Sequence, residues 1–114
     1  MENMYRSEVW LVDLNPPGQG KEIHGERPAL VISVDEINNC PADLVIILPI
    51  TTTVRNIPSH IKVAPPEGGL RKISFVKCDQ IRTISKGRFI KKLGSVSADT
   101  ILEIEEVLRT ILSL

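Results

Sequence analysis

Leu44-Val45-Ile46-Ile47-Leu48-Pro49-Ile50 runs seven apolar residues without a break, then gives way to the polar exit Thr51-Thr52-Thr53-Val54-Arg55-Asn56. A short apolar run that ends in turn chemistry reads as a strand. Pro49 lacks a backbone donor, so the run is expected to lie at a sheet edge or to carry a bulge near its end. Upstream, Pro28 to Val34 reads as a second strand with its proline at the first position. Ser7 to Leu14 reads as another, largely buried. Asp35 to Asn39 is a turn or a single helical turn. Downstream, His60–Val63, Ile73–Cys78, Gln80–Ile84 and Phe89–Val96 complete a set of short strands, with a turn at Pro65-Pro66-Glu67-Gly68-Gly69.

The period then changes. Ser97 is placed to cap a helix, and Asp99 in its first turn suits the helix dipole. Ile101, Ile104, Leu108, Ile111 and Leu112 recur at helical spacing and predict an apolar stripe facing the core. Several short strands plus one amphipathic C-terminal helix predict a mainly β fold with α: a small, strongly curved sheet or barrel capped by that helix.

At 114 residues the chain fits a single domain, 1–114. Such a chain buries roughly two-thirds of the surface it exposes when unfolded. With aromatic content of 4%, an extensive base-stacking platform is not expected. No apolar stretch reaches the ~20 residues that span a bilayer. The first residues carry no hydrophobic segment of signal type, so a cytoplasmic location without membrane contact is expected. Cys40 and Cys78 fit no metal spacing and read as free thiols; with only His24 and His60 as further soft ligands, no metal site is expected.

The formal net charge is zero, yet its distribution is uneven. Residues 51–95 carry ten basic and two acidic side chains, while the flanking segments are acidic. Local field, not total charge, draws polyanions, so a cationic patch is one reading of this segment and scatter around the surface is the other.

Five groups of residues could carry chemistry. Arg27 stands between the glycine-containing loop Pro16 to Glu26 and the apolar run after it. A guanidinium held at such a junction suits a phosphate, although an ion pair with Glu22 or Glu26 would explain it equally. Thr51 follows the Leu44–Ile50 run directly, where a hydroxyl faces a ligand or serves a turn. His24 and His60 could form an acid–base pair, but nothing in the sequence brings them together. Asp79 and Gln80 fall between two strands, and Lys21 is either a phosphate contact or a solvated side chain.

In order along the chain, Arg6-Ser7-Glu8-Val9-Trp10-Leu11-Val12-Asp13-Leu14, Gly20-Lys21-Glu22-Ile23-His24-Gly25-Glu26-Arg27-Pro28-Ala29-Leu30-Val31-Ile32, Pro49-Ile50-Thr51 and Cys78-Asp79-Gln80-Ile81-Arg82-Thr83-Ile84, with the terminal helix, resemble the MazF/PemK toxins of bacterial type II toxin–antitoxin systems. The resemblance implies an SH3-like barrel acting as a homodimer. It implies a cofactor-free, metal-independent endoribonuclease that cuts single-stranded RNA, mainly mRNA, at short sequences. The 2′-hydroxyl attacks the adjacent phosphate and leaves 2′,3′-cyclic phosphate and 5′-hydroxyl ends. By the same resemblance Arg27 and Thr51 are the catalytic pair, and Lys21, Glu22, Thr52, Lys77, Asp79 and Gln80 contact RNA. In the branch containing the plasmid toxin Kid, a histidine, an arginine and an aspartate are proposed instead. Here Lys21 and Lys77 stand in the first two places and Asp79 matches the third. The resemblance further implies a cognate antitoxin with a disordered acidic tail, and association with DNA through that antitoxin. A different class of function on the same architecture is the non-catalytic gyrase poison CcdB, against which Arg27, Thr51 and the Gln80-Ile81-Arg82-Thr83 motif speak. A basic barrel that binds nucleic acid without chemistry is weakened by the scarcity of aromatics.

Overall fold

A computed structural model of the chain describes residues 3–16, 20 and 22–114. The strands are β1 (Glu8–Asp13), β2 (Glu26–Val31), β3 (Leu44–Thr51), β4 (His60–Val63), β5 (Ser74–Lys77), β6 (Arg82–Ser85) and β7 (Phe89–Ser95). A one-turn helix α1 (Asp35–Asn38) precedes β3, and helix α2 (Ala98–Leu112) closes the chain. Pairing is antiparallel throughout, in the order β4-β5-β3-β2-β1-β7, with β6 also on β3. The fold is thus mainly β with a C-terminal helix, as the sequence pattern predicts.

The apolar run is the centre of this sheet. One edge of β3 pairs with β2 at Ile47–Pro49. The other edge pairs with β6 from Leu44 to Ile47 and with β5 at Ile50 and Thr51. Pro49 is therefore not on an edge strand, the first of the two places expected for it. It falls in the gap between the β6 and β5 ladders, a break that tolerates a residue with no donor. Alternate side chains of β3 enter different cores. Leu48 and Ile50 join Leu30, Val76, Ile101, Ile104 and Leu108 on the α2 side. Val45 and Ile47 join Trp10, Val12, Ala29, Val31 and Ile84 on the other, where Phe89 meets Trp10 edge-on at 5.6 Å. Burial on both faces is why this strand has no polar alternation.

Other boundaries shift for local reasons. β2 begins two residues before Pro28 because β1 pairs back as far as Asp13 opposite Glu26. It ends at Val31, before the expected Val34, since the Ser33 hydroxyl accepts from the Ile46 N–H (3.0 Å) and Asn38 Nδ2 donates to the Ser33 carbonyl (2.9 Å). After a last backbone bond from the Ile32 N–H to the Ile46 carbonyl (3.0 Å), these side-chain bonds take over from the ladder. Gln80 was expected to open a strand; it lies in a 3₁₀ turn, Cys78–Gln80, and β6 starts at Arg82. On α2, Ile101, Ile104 and Leu108 are buried, but Ile111 and Leu112 are 43% and 46% exposed. The stripe therefore loses its cover over the last helical turn. No helix among the described residues is long and apolar enough to cross a membrane.

The start of α2 is clamped. Ser97 Oγ accepts from the Thr100 N–H at 3.2 Å, the expected cap. Glu67 Oε2 accepts from the Ser97 N–H at 2.9 Å and from the Thr100 hydroxyl at 2.6 Å. Glu67 belongs to a 3₁₀ turn, Glu67–Gly69, pressed against β7. A Cβ on Gly69 would lie 1.9 Å from the Leu93 carbonyl oxygen, so only glycine permits the approach. The Thr100 hydroxyl and Ser97 N–H bonds outweigh burial and hold the Glu67 carboxyl below its ordinary 4.5. Its contribution to stability is complete above that ordinary value and is lost as pH falls through the lower folded value. Glu67→Ala is expected to lower stability by about 1 kcal/mol at neutral pH. Urea titrations at descending pH should show the mutant and wild-type curves converging in acid.

Candidate functional site

β2 and β3 pair with Ala29 opposite Pro49, Leu30 opposite Leu48 and Val31 opposite Ile47. Carried two residues past Ala29, that register sets Arg27 against Thr51, at the end where the strands have parted. Alternate positions of a strand share a face. Arg27 thus follows Ala29 and Val31, and Thr51 follows Val45 and Ile47, beyond the margin of the apolar layer they form. On β5, Phe75 lies opposite Thr51, and Lys77 falls on the same face two residues on. Arg27, Thr51 and Lys77 line one cleft of about 200 Å³. Its remaining wall is Glu22, Ile23 and His24 from the loop before β2, and Thr53 and Arg55 from the exit of β3.

Arg27 and Thr51 are each held by a backbone group. Arg27 Nε donates to the His24 carbonyl at 3.0 Å, and among the described residues Arg27 makes no ion pair. The alternative pairing with Glu22 or Glu26 is therefore not what the geometry gives. The Thr51 hydroxyl oxygen accepts from the Thr53 N–H at 3.1 Å, which leaves its own proton to donate. Lys77 is 9% exposed and likewise has no ion pair among the described residues. With Arg27, Arg55 and Lys77 against one carboxylate, Glu22, the cleft is cationic. Part of the basic middle segment gathers here. Another part lies elsewhere: Lys92 is ion-paired with Glu8 at 2.9 Å, and Arg88 reaches the Asp13 carbonyl at 3.1 Å.

A second cleft, about 410 Å³, adjoins the first through Glu22 and is lined by Pro16, Asp79, Gln80, Ile81 and Arg82. Gln80 Oε1 accepts from the Ile23 N–H at 2.9 Å, anchoring the loop that carries Glu22 and His24. The expected RNA contacts thus divide: Glu22 and Lys77 stand with Arg27 and Thr51, while Asp79 and Gln80 stand next door. Thr52 is exposed and lines neither cleft. Lys21 lies outside the described residues. His24 and His60 do not meet. His24 is in the first cleft, and His60 is buried beside Asp79. Sequence reasoning missed Thr53 and Arg55, which lie past the end of β3 and so carry no strand periodicity. Among the described residues no three His, Cys, Asp or Glu side chains gather as a metal-holding group.

A model of PemK-like, MazF-like toxins of type II toxin–antitoxin systems matches residues 5–112. The chain belongs to this family. Endoribonuclease MazF9 of Mycobacterium tuberculosis is 31% identical over 116 residues, covering 97% of this chain and 98% of the relative. A MazF crystal structure from Deinococcus radiodurans superposes with a TM-score of 0.86 over the full length of both chains at 23% identity, a likeness of fold. An endoribonuclease in complex with its cognate antitoxin, from a mycobacterial species, gives a TM-score of 0.79 at 28% identity, covering 97% of this chain and 96% of that one. In this PemK/MazF-family chain the arginine and threonine singled out by the sequence motifs come from strands that the ladder itself brings together.

Both cysteines are free. Burial, followed by the Asp79 charge, pushes the Cys78 thiol up to about 12. Iodoacetamide at mildly alkaline pH is therefore expected to label Cys40 in the folded protein and Cys78 only after denaturation, as mass spectrometry can read.

Proposed function

We propose that this PemK/MazF-family chain is an endoribonuclease toxin that cuts single-stranded RNA at short sequences. The observation that carries the reading is the meeting of Arg27 and Thr51 in one cationic cleft. In the reaction, the ribose 2′-oxygen forms a bond to the adjacent phosphorus and the bond from phosphorus to the 5′-oxygen breaks. The products are a 2′,3′-cyclic phosphate and a 5′-hydroxyl. Extra negative charge builds on the phosphoryl oxygens in the transition state. Arg27, always charged and with its two terminal nitrogens uncommitted among the described residues, neutralises it. Thr51, already accepting from Thr53, donates its proton to a phosphoryl oxygen or holds the 2′-hydroxyl in line. The 2′-hydroxyl proton passes to a basic group of the cleft wall, Glu22 or His24, and the departing 5′-oxygen takes its proton from solvent water. Lys77 and Arg55 attract the flanking phosphates.

The toxin partner in this reading is a cognate antitoxin whose acidic segment covers the cationic cleft, and the toxin itself is a homodimer. The gyrase-poison alternative is not favoured, because the curated relative is an endoribonuclease and the family model is that of MazF and PemK.

Arg27→Ala is expected to stay folded and to lose about 10²–10³-fold in kcat on a long RNA in EDTA. A single 2′-deoxy substitution at the mapped cut should abolish cleavage, and end analysis should find 5′-hydroxyl termini. Full activity in the Arg27→Ala protein would remove this arginine from the mechanism. Arg55→Ala is expected to act on binding. Its affinity for an uncleavable 2′-deoxy oligonucleotide should fall, and the slope of log affinity against log salt should shrink by about 0.7.

A further inference from the structure

We propose that the second cleft is a nucleobase subsite in which Asp79, steadied by the buried His60, reads the exocyclic amino group of one base beside the scissile linkage. This rests on the RNA-cleaving reading of the first cleft. The two clefts share Glu22, so a strand whose phosphate lies at Arg27 has a neighbouring base within reach of the second. At about 410 Å³ that cleft is the roomier of the two. Its side chains are a base-sized mixture: Ile81 offers an apolar surface for a ring face, Arg82 offers donors, and Asp79 and Glu22 offer carboxylates.

A carboxylate in a site for a polyanion works against the phosphates unless it meets donors. Adenine, cytosine and guanine each carry an amino group that a carboxylate accepts from. Uracil presents two carbonyl oxygens around one N–H, and those oxygens face an acceptor-only group unfavourably. The site therefore favours an amino-bearing base and rejects uracil.

His60 gives the second, independent observation. Its side chain is 3% exposed, and its Nε2 lies 3.4 Å from Asp79 Oδ1. That contact is within ion-pair range but is not aligned for a hydrogen bond, and among the described residues neither ring nitrogen has a hydrogen-bond partner. Leaving a buried donor unpaired is costly. A small rotation of Asp79 toward the ring satisfies it, committing one carboxylate oxygen to His60 and leaving the other to the cleft. His60 is thus a positioning residue that acts through Asp79.

The test uses the full chain and RNA oligonucleotides around a mapped cut, with each of the four bases at every flanking position. At one such position the three amino-bearing bases should give kcat/KM at least about tenfold above uracil. Asp79→Asn, whose amide donates as well as accepts, should bring that ratio close to one. His60→Ala should lower the ratio, and His60→Gln, which keeps an N–H donor, should restore it. If His60→Ala does not fold, the wild-type and Asp79→Asn ratios still decide. Absence of any uracil penalty, or an Asp79→Asn loss equal for all four bases, overturns the proposal. Binding of the same oligonucleotides with a 2′-deoxy cut site separates the two readings. Preference in binding without any cleavage removes the nuclease reading and keeps the subsite; cleavage blind to uracil removes the subsite alone.

Discussion

The two-sided hydrogen bonding of β3 is the constraint from which the rest of this molecule follows. A strand that pairs on both edges and buries both faces has no freedom to slip, because a shift of one residue would exchange Leu48 and Ile50 with Ile47 and Val45 between two different cores. With β3 fixed, β2 is fixed against it at Ala29–Val31, and the position of Arg27 relative to Thr51 is determined before either side chain makes a contact. The cleft lies where that ladder stops. Beyond Ala29 the strands part, the apolar layer ends, and polar side chains continue the same face with room between them.

That geometry explains how much was legible in the sequence. The strands and the capped helix could be read because their signals are local: apolar runs, turn residues, a serine before a helical stripe. Arg27 and Thr51 could be singled out because each sits at the end of such a run. The partner switch of β3 could not be read. It depends on β5 and β6 sharing one edge, and Pro49 alone signals a broken ladder without saying which ladders flank the break. Arg55 and Thr53 were hidden for a related reason, since they leave the strand and enter the cleft through the path of an irregular loop. His60 beside Asp79 is a contact between β4 and the turn after β5, 19 positions apart in sequence, which no short-range pattern encodes. Ile111 and Leu112 misled because periodicity reports which side of a helix is apolar, not how far its covering sheet extends.

Zero net charge is likewise a poor guide here. Fields at a surface decay over about 8–10 Å at ordinary ionic strength, so what a polyanion meets is the local set of side chains. Some cations of the basic segment are committed within the fold: Lys92 bonds to Glu8, whose carboxyl burial raises but whose bonds from Lys92, Trp10 and the Tyr5 N–H bring below its ordinary value. Arg27, Arg55 and Lys77 are not committed in that way, and they are the ones on the cleft.

The way these groups are held matters as much as their charge. A carboxylate partner would orient Arg27 but would also neutralise it, and a phosphate would then have to compete with that partner. The His24 carbonyl fixes the guanidinium through Nε while leaving the full charge in place. The Thr53 N–H does the same for Thr51, occupying a lone pair and sparing the proton. Gln80, by accepting from the Ile23 N–H, steadies the loop on which the His24 carbonyl depends. Orientation here is supplied by neutral backbone groups, so the electrostatic capacity of the cleft is preserved for negative charge that develops on a bound strand.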